Sequence, residues 1–386
     1  MPQEFLGYPR ADGSAGVRNR VVVLSILGLT AGPARRIARQ VPGALLIATQ
    51  HGRGQFGDDR ALMRQTLIGL GRNPNAAAVI VVGADRLRLD AIANAIAATG
   101  KPVEALALDD VHEDNLALSD RGLRLAAQLT RDASRTRRVV LPASLLRLGI
   151  ECGHTDATSG IAANPLAGRV ADRLVDAGGA AMFGETMEWL GAEDVLASRA
   201  ATPEVGRAIV DAVLKREAWA AASGEDLTGN NPGQENIRGG LSSIEEKSLG
   251  AIAKGGSRPV RGVVPHAAPI PGPGLWVMEG PAFSPPSITG FVAGGAQMVL
   301  FTTGQGNSYC DALAPTVKIT ANPASAKRLT HQIDFDASAL LDGTRDPDEA
   351  ADALFGQLLD HASGTRTWGE VLDEGDYAIA RLGADF

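Results

Sequence analysis

The chain begins with continuous apolar runs separated by stretches whose apolar residues return at helical spacing. RVVVLSIL (20–27) reads as a strand buried on both faces, and AGPARRIARQV (31–41) as an amphipathic helix. The alternation continues with a strand at GALLIAT (43–49) and a helix at GDDRALMRQTLIGLG (57–71), which opens on Asp and closes on Gly. Next come a strand at AAVIVVG (77–83), a helix through 90–99, a short strand at PVEALAL (102–108), a long helix over 114–133 and an apolar run, VVLPASLLRLG (139–149). Buried strands joined by helices predict crossover units, hence a mostly parallel sheet covered on both faces, but leave the strand order open.

After residue 149 the pattern changes. NPLAGRVADRLVDAGG (164–179) predicts a helix with Asn164 as N-cap, Pro165 at the first position and an apolar stripe of Leu166, Val170 and Leu174. AAMFG (180–184) predicts another buried strand, and helices follow through 188–200 and 203–223. Residues 224–243 are polar and rich in Gly and Asn, either a linker or an ordered loop. Strands are predicted at LWVMEG (275–280), AQMVLFTTG (296–304) and VKIT (317–320). The expected architecture is α/β: an N-terminal Rossmann-like domain over 1–149 and a second, Gly/Pro-rich α/β domain over 150–386 that carries most of the candidate chemistry.

Composition narrows the function. The 37 basic and 44 acidic side chains give a net charge of −7, which lacks the basic field of a general nucleic-acid binder. No apolar run is long enough to span a bilayer, and MPQEFLGYPR is not a signal peptide. Two cysteines, Cys152 and Cys310, cannot build a disulfide framework and suit a reducing cytoplasm. No P-loop, GxGxxG fingerprint after the first strand or GxSxG elbow is present.

Three segments place ionisable residues beside glycines at strand ends, where open α/β sheets bind ligands. In IECGHTDATSGIAANP (150–165), Glu151, Cys152, His154 and Asp156 fall within six residues, and thiolate, imidazole and carboxylate are all ligands for zinc or iron. The helix start beyond them, with Thr158, Ser159 and Asn164, could accept a substrate carboxylate through backbone N–H groups. In GGLSSIEEKSLGAIAKGG (239–256), Ser243 and Glu246 have capping-box spacing, with Lys247 and Lys254 following. In FTTGQGNSYCDALAPTVKITANP (301–323), Thr302, Thr303, Gly304 and Gly306 form a turn that could cradle an anion, and Ala321-Asn322-Pro323 echoes Ala163-Asn164-Pro165. His51, among glycines after a strand, is a weaker candidate, as is His266.

Taken in order, these segments resemble the altronate and galactarate dehydratase family of hydro-lyases. FLGYPRADGSAGVRN (5–19), HGRGQFGDDRALMRQTLIGLGRNPNAAAVIVVG (51–83) and GETMEWLGAEDVL (184–196) extend the match along nearly the whole chain. The resemblance implies removal of water from an anionic hydroxy acid, such as a sugar acid, to give a 2-keto-3-deoxy acid. It also implies a divalent metal, Fe2+ first, with Mg2+ or Zn2+ left open. His51, Glu151, Cys152 and His154 are the candidate ligands, Lys247 or Lys318 would hold the substrate carboxylate, and Glu246 would transfer a proton. Thr158, Ser159, Asn164, Thr302, Thr303, Gly304, Gly306 and Asn322 would bind the remaining substrate groups.

Related chains include a sulfo-lyase large subunit that expels sulfite, so that leaving group is the alternative; a non-catalytic sugar-acid-binding subunit is a third reading. The resemblance starts at residue 5, without the family's small SAF domain, so a separate SAF-domain subunit is expected, and a homo-oligomer is left open. Where the family carries further cysteines this chain reads Gly52-Arg53-Gly54, Gly83-Ala84-Asp85 and Gly250-Ala251, and His154 stands where Gly is usual.

Overall fold

A computed structural model describes residues 3–52, 54–227 and 231–382. Arg53 and part of the 224–243 segment therefore lie outside the described residues.

Two parallel sheets organise the chain. The smaller has the order β4-β3-β5-β6, from β3 (Arg20–Ser25), β4 (Ala44–Ala48), β5 (Ala76–Gly83) and β6 (Val103–Ala107). These are the strands expected from the apolar runs, and they need no polar alternation because helices cover both faces. The helix Gly57–Arg72 places Asp58 and Asp59 in its first turn and Arg72 in its last, matching the helix dipole at both ends.

The larger sheet has seven parallel strands in the order β10-β11-β9-β8-β12-β14-β15. They are β8 (Arg147–Cys152), β9 (Ala180–Phe183), β10 (Val260–Val264), β11 (Gly274–Met278), β12 (Met298–Thr302), β14 (Thr316–Thr320) and β15 (Phe335–Asp336), while the short β13 (Cys310–Asp311) pairs outside this sheet. From β8 the chain moves to β9 on one side, and from its neighbour β12 it moves to β14 on the other. The β8/β12 boundary is thus the point where the winding reverses, and the crevice at the carboxyl ends of such strands is the usual ligand position.

The run 139–149 divides in two. Val139–Pro142 (β7) pairs antiparallel with Glu4–Pro9 (β1), which also pairs with Ala15–Gly16 (β2), and only after a short turn does β8 begin. Phe5, Ala15 and Val17 consequently pack into the core of the larger sheet. One face of that sheet is covered by the helices Asn164–Asp176 and Pro347–Ala362, through Leu166, Val170, Leu354 and Leu358 against Ile150, Leu300 and Val317. The other face packs on the helix Ser284–Ala293, which in turn meets Gly57–Arg72 and so joins the two units. That helix crossing is close because residue 69 is glycine: a Cβ there would lie 2.3 Å from the Ala293 carbonyl oxygen.

The expected helix start at Asn164 is corrected. The chain is already helical from residue 157, and a wide π-type turn at Ser159–Ala163 runs directly into Asn164–Asp176. Pro165 has no N–H to bond back one turn, and the wider turn before it absorbs that loss. The helix expected over 188–200 is also shorter, a 3₁₀ turn at Thr186–Glu188 followed by Glu193–Ala197. No helix among the described residues is long and apolar enough to cross a membrane.

Candidate active site

β8 ends at Cys152, and the polypeptide leaving the adjacent β9 turns back over that end through Glu185 and Glu188. Glu185 holds a left-handed backbone, φ 65°, costly for a residue with a Cβ and found mainly where the surroundings enforce it. The helix Ile244–Ile252 and the turn Ala253–Gly255 bring up Lys247 and Lys254. The Cys152 Sγ lies 3.0 Å from Glu188 Oε2 and 3.7 Å from Glu185 Oε2. Lys254 Nζ sits among all three, donating to Glu185, at 3.0 Å to the Cys152 sulfur and 3.3 Å to Glu188 Oε2. Lys247 Nζ reaches Glu188 Oε1 at 3.2 Å and also donates to Asn231 Oδ1 at 2.6 Å. Lys254 and Glu185 are 1% exposed and Lys247 is 11% exposed, so the cluster opens toward Lys247.

Burial of this many ionisable groups is tolerable only if charges cancel. Burial pushes the Cys152 thiol well up, and Glu185 and Glu188 push it further, so it keeps its proton. Glu151, beside the cluster, is likewise raised well above the carboxylate range by burial and by the Glu185 charge. Its Oε2 accepts from Ser287 Oγ at 2.8 Å, and the Glu151 and Glu185 side chains also hydrogen-bond each other. Burial opposes ionisation of Glu188, but Lys247 and Lys254 overcome it and hold this carboxyl at about 2. Burial and Glu188 raise Glu185. Lys254 keeps its proton against burial because Cys152, Glu185 and Glu188 surround it. The Lys247 and Lys254 ammonium groups thus face the carboxyl groups of Glu185 and Glu188, with the Cys152 thiol and the Glu151 carboxyl beside them.

Cys152, Glu185 and Glu188 could hold a cation, their donor atoms all lying within 4.8 Å of one another. A thiol with two carboxylates suits a divalent ion of intermediate softness. In the structure the positive charge among them is Lys254, so an ion bound there would have to displace the ammonium.

Of the ligands expected from sequence, only Cys152 lies in this donor group. Glu151 adjoins it, on the side facing Ser287. His51 stands 3.3 Å from Arg381, and His154, exposed and at φ 50°, donates from Nδ1 to the Gly306 carbonyl at 2.7 Å. Glu246 is exposed and accepts from Ser242 N and Oγ while its own N–H donates to Ser243, a helix cap rather than a cluster member. Lys318 is buried on β14, where its side chain faces Cys310 rather than the cluster.

Four of the residues expected to bind substrate, Thr158, Ser159, Gly304 and Asn322, surround a carboxylate of the chain itself. Asp156, 3% exposed, accepts from Thr158 Oγ1 at 2.6 Å, from Ser159 N at 3.1 Å and from Asn322 Nδ2 at 2.8 Å. Asn322 also caps its helix by accepting from Ala324 and Ser325 N–H groups. Gly304 admits Asp156, since a Cβ there would lie 2.1 Å from the carboxyl carbon. The turn's backbone donors are spent as well: Gly304 and Gln305 donate to the His154 carbonyl and Gly306 donates to Thr303 Oγ1. Asn164 bridges Gly250 O and Thr302 Oγ1, at 3.0 and 2.5 Å. Together these contacts lock the three segments into one floor.

Sequence reasoning missed Glu185 and Glu188 as site residues. The available signal was position: two carboxylates three residues apart, directly beyond the carboxyl end of a buried strand. Lys254 carried a weaker one, a lone lysine closing an apolar helix.

An ionisable cluster buried at the carboxyl edge of a parallel sheet, at the point where the winding reverses, stands where α/β enzymes place their active sites. The comparisons with known proteins agree with that class. The model of the D-galactarate/altronate dehydratase C-terminal domain matches residues 143–385, and that of the D-galactarate dehydratase/altronate hydrolase second domain matches 7–134. The (2R)-sulfolactate sulfo-lyase subunit beta of Chromohalobacter salexigens is 37% identical over 98% of this chain and 97% of its own length. Altronate dehydratases of Bacillus subtilis and Escherichia coli are each 31% identical, over 98% and 97% of this chain and 78% and 77% of their own lengths. The chain belongs to the D-galactarate/altronate dehydratase family, whose dehydratase members are carbon–oxygen lyases of the hydro-lyase type.

Proposed function

We propose that the protein eliminates a group from the carbon beta to the carboxylate of an anionic 2-hydroxy acid, with water as the leaving group and a sugar acid as the substrate class. The observation that carries this reading is the Lys254–Glu185–Glu188–Cys152 cluster. Elimination needs a base at a weakly acidic C–H, positive charge near the carboxylate as it gains electron density, and an acid at the leaving group. Lys247, on the open side, is suited to hold the substrate carboxylate. The Lys254–Glu185 pair is suited to accept the proton from the carbon next to it. Glu151, kept protonated, is suited to give a proton to the departing hydroxyl. The resulting enol then becomes the 2-keto-3-deoxy acid.

A divalent ion held by Cys152, Glu185 and Glu188 would supply Lewis acidity to the substrate oxygens. Lys318 and Glu246 take no part in this reading.

A second reading, sulfite as the leaving group, is favoured by the higher and nearly end-to-end identity to the sulfo-lyase subunit. The proton chemistry is shared, because a 3-sulfonated 2-hydroxy acid also loses its C2 proton and collapses to a keto acid. That relative's designation as a subunit also supports a second, small subunit as partner. The test is anaerobic purification and metal analysis, then a screen of sugar acids and sulfonated hydroxy acids for keto acid and sulfite. Keto acid without sulfite supports the dehydratase reading, equimolar sulfite the second. No product, with or without added metal and a small SAF-domain protein, would leave a binding subunit as the better description.

A further inference from the structure

A cavity of about 950 Å³ lies at the opposite end of the seven-stranded sheet from Cys152. Arg147 and Ala180, the first residues of β8 and β9, line it, as do Pro273, just before β11, and Gly295, before β12. Cys152 lies five positions beyond Arg147 on β8, which at ~3.3 Å per residue puts this wall roughly 16 Å from the cluster. The other wall is one face of the helix Gly57–Arg72, so the cavity lies where the two α/β units meet.

Its charge is unlike that of the chain. Arg64, Arg72 and Arg147 line it against a single carboxylate, Asp12, in a protein of net charge −7. Asp12 is already engaged, accepting from Ser14 N and Oγ. None of the three guanidinium groups has an ion pair or hydrogen bond among the described residues. Arg147 is partly buried, and desolvation lowers its pKa while Asp12 opposes that effect.

Two helices end here, and helix C-termini attract cations, so the arginines could serve only to complete those ends. That work is done by other residues. Asn73 Nδ2 donates to the Val292 and Ala296 carbonyls, and Lys101 Nζ donates to those of Gly71 and Asn73. Three unspent planar donors around one cavity, one of them partly desolvated, match the bidentate geometry of carboxylate or phosphate oxygens.

We propose that this cavity binds a small oxyanion carrying at least two negative charges, at a site separate from the catalytic cluster. Carboxylate and phosphate share the chemistry, and two probes distinguish them: inorganic phosphate and citrate, each added at constant ionic strength. Binding is read by calorimetry and by thermal unfolding, where a ligand specific to the folded state raises Tm.

The wild type is expected to bind at least one probe. Arg147→Ala should weaken it by about tenfold or more, Arg147→Lys less, and the exposed Arg64→Ala by a few-fold. Lys247→Ala, at the other end of the sheet, should bind the same probe as the wild type does. Because Arg64 is exposed, its variant tests the site even if Arg147→Ala folds poorly. Absence of binding in the wild type, unchanged affinity in the Arg64 and Arg147 variants, or loss in Lys247→Ala would each overturn the proposal. The last outcome would place the anion at the catalytic cluster instead.

Discussion

The two parallel sheets follow the same rule of construction and differ in what they bury. In the four-stranded sheet the carboxyl ends of β3 and β5 are finished with neutral or capping groups, the Ser25 and Thr30 hydroxyls bonding each other at 2.8 Å and Asp85 capping the next helix. Beyond β4 and β6 stand ion pairs of one carboxylate each, Asp59 with Arg381 and Asp110 with Arg86. In the seven-stranded sheet the corresponding edge holds Glu151, Cys152, Glu185, Glu188 and Lys254, all at most 4% exposed. Apolar strands alone make either sheet. Buried charge is a cost that packing does not require, and its concentration at one edge is what supports the proposed catalytic site.

The sharpest way to break this comparison is Lys254→Met, which keeps the volume and removes the cation. It leaves Glu185 and Glu188 short of a partner and should cost about 3–5 kcal/mol in denaturant unfolding. Turnover should fall by ~100-fold or more. Near-normal activity and stability would make the cluster incidental.

The pH dependence separates its carboxylates. Glu188 is held at about 2, so the stability it supplies is complete above the ordinary glutamate value and is lost as pH falls toward 2. Glu151 has the opposite sign. Its carboxyl is raised, so the folded protein retains a proton that the unfolded chain gives up, and stability falls as pH rises from about 4.3 through the folded value. Glu151→Gln cannot ionise and should remove that decline. Parallel profiles of unfolding midpoint against pH for wild type and variant would refute the assignment.

Gly304→Ala forces a methyl onto Asp156 and should cost about 1–3 kcal/mol, read as a lower Tm, whereas an unchanged Tm would mean the floor is loose. Lys318→Met should change stability by about 1 kcal/mol or less with KM unchanged, because this buried side chain lies apart from the cluster and its partners are Cys310 and Asp334. A large rise in KM would restore Lys318 as a substrate clamp. The smallest effect belongs to Glu246→Ala, a cap loss of at most about 1 kcal/mol with activity within about twofold. A collapse in kcat would instead return Glu246 to proton transfer.

Much of the fold was legible along the chain, because strands buried on both faces are continuous apolar runs bounded by glycines. The segments 150–165, 239–256 and 301–323 were also recognisable, and the structure brings them together. What each residue does there was less accessible. Thr158, Ser159, Gly304 and Asn322 have the donors of an anion site, and nothing local reveals that the anion is Asp156, whose contact with Asn322 spans 166 positions. Glu185 and Glu188 belong to a segment whose short helix gave no sign that it folds over the end of β8.

Local periodicity and the order of motifs thus determined the elements, the α/β class and the family resemblance, since these depend on residues close together in sequence. Tertiary structure alone decided the strand order, the Cys152–Glu185–Glu188–Lys254 cluster and the arginine-lined cavity at the far edge. Ionisation and unsatisfied donors depend on which distant groups share a low-dielectric space, and only the packed chain defines that space.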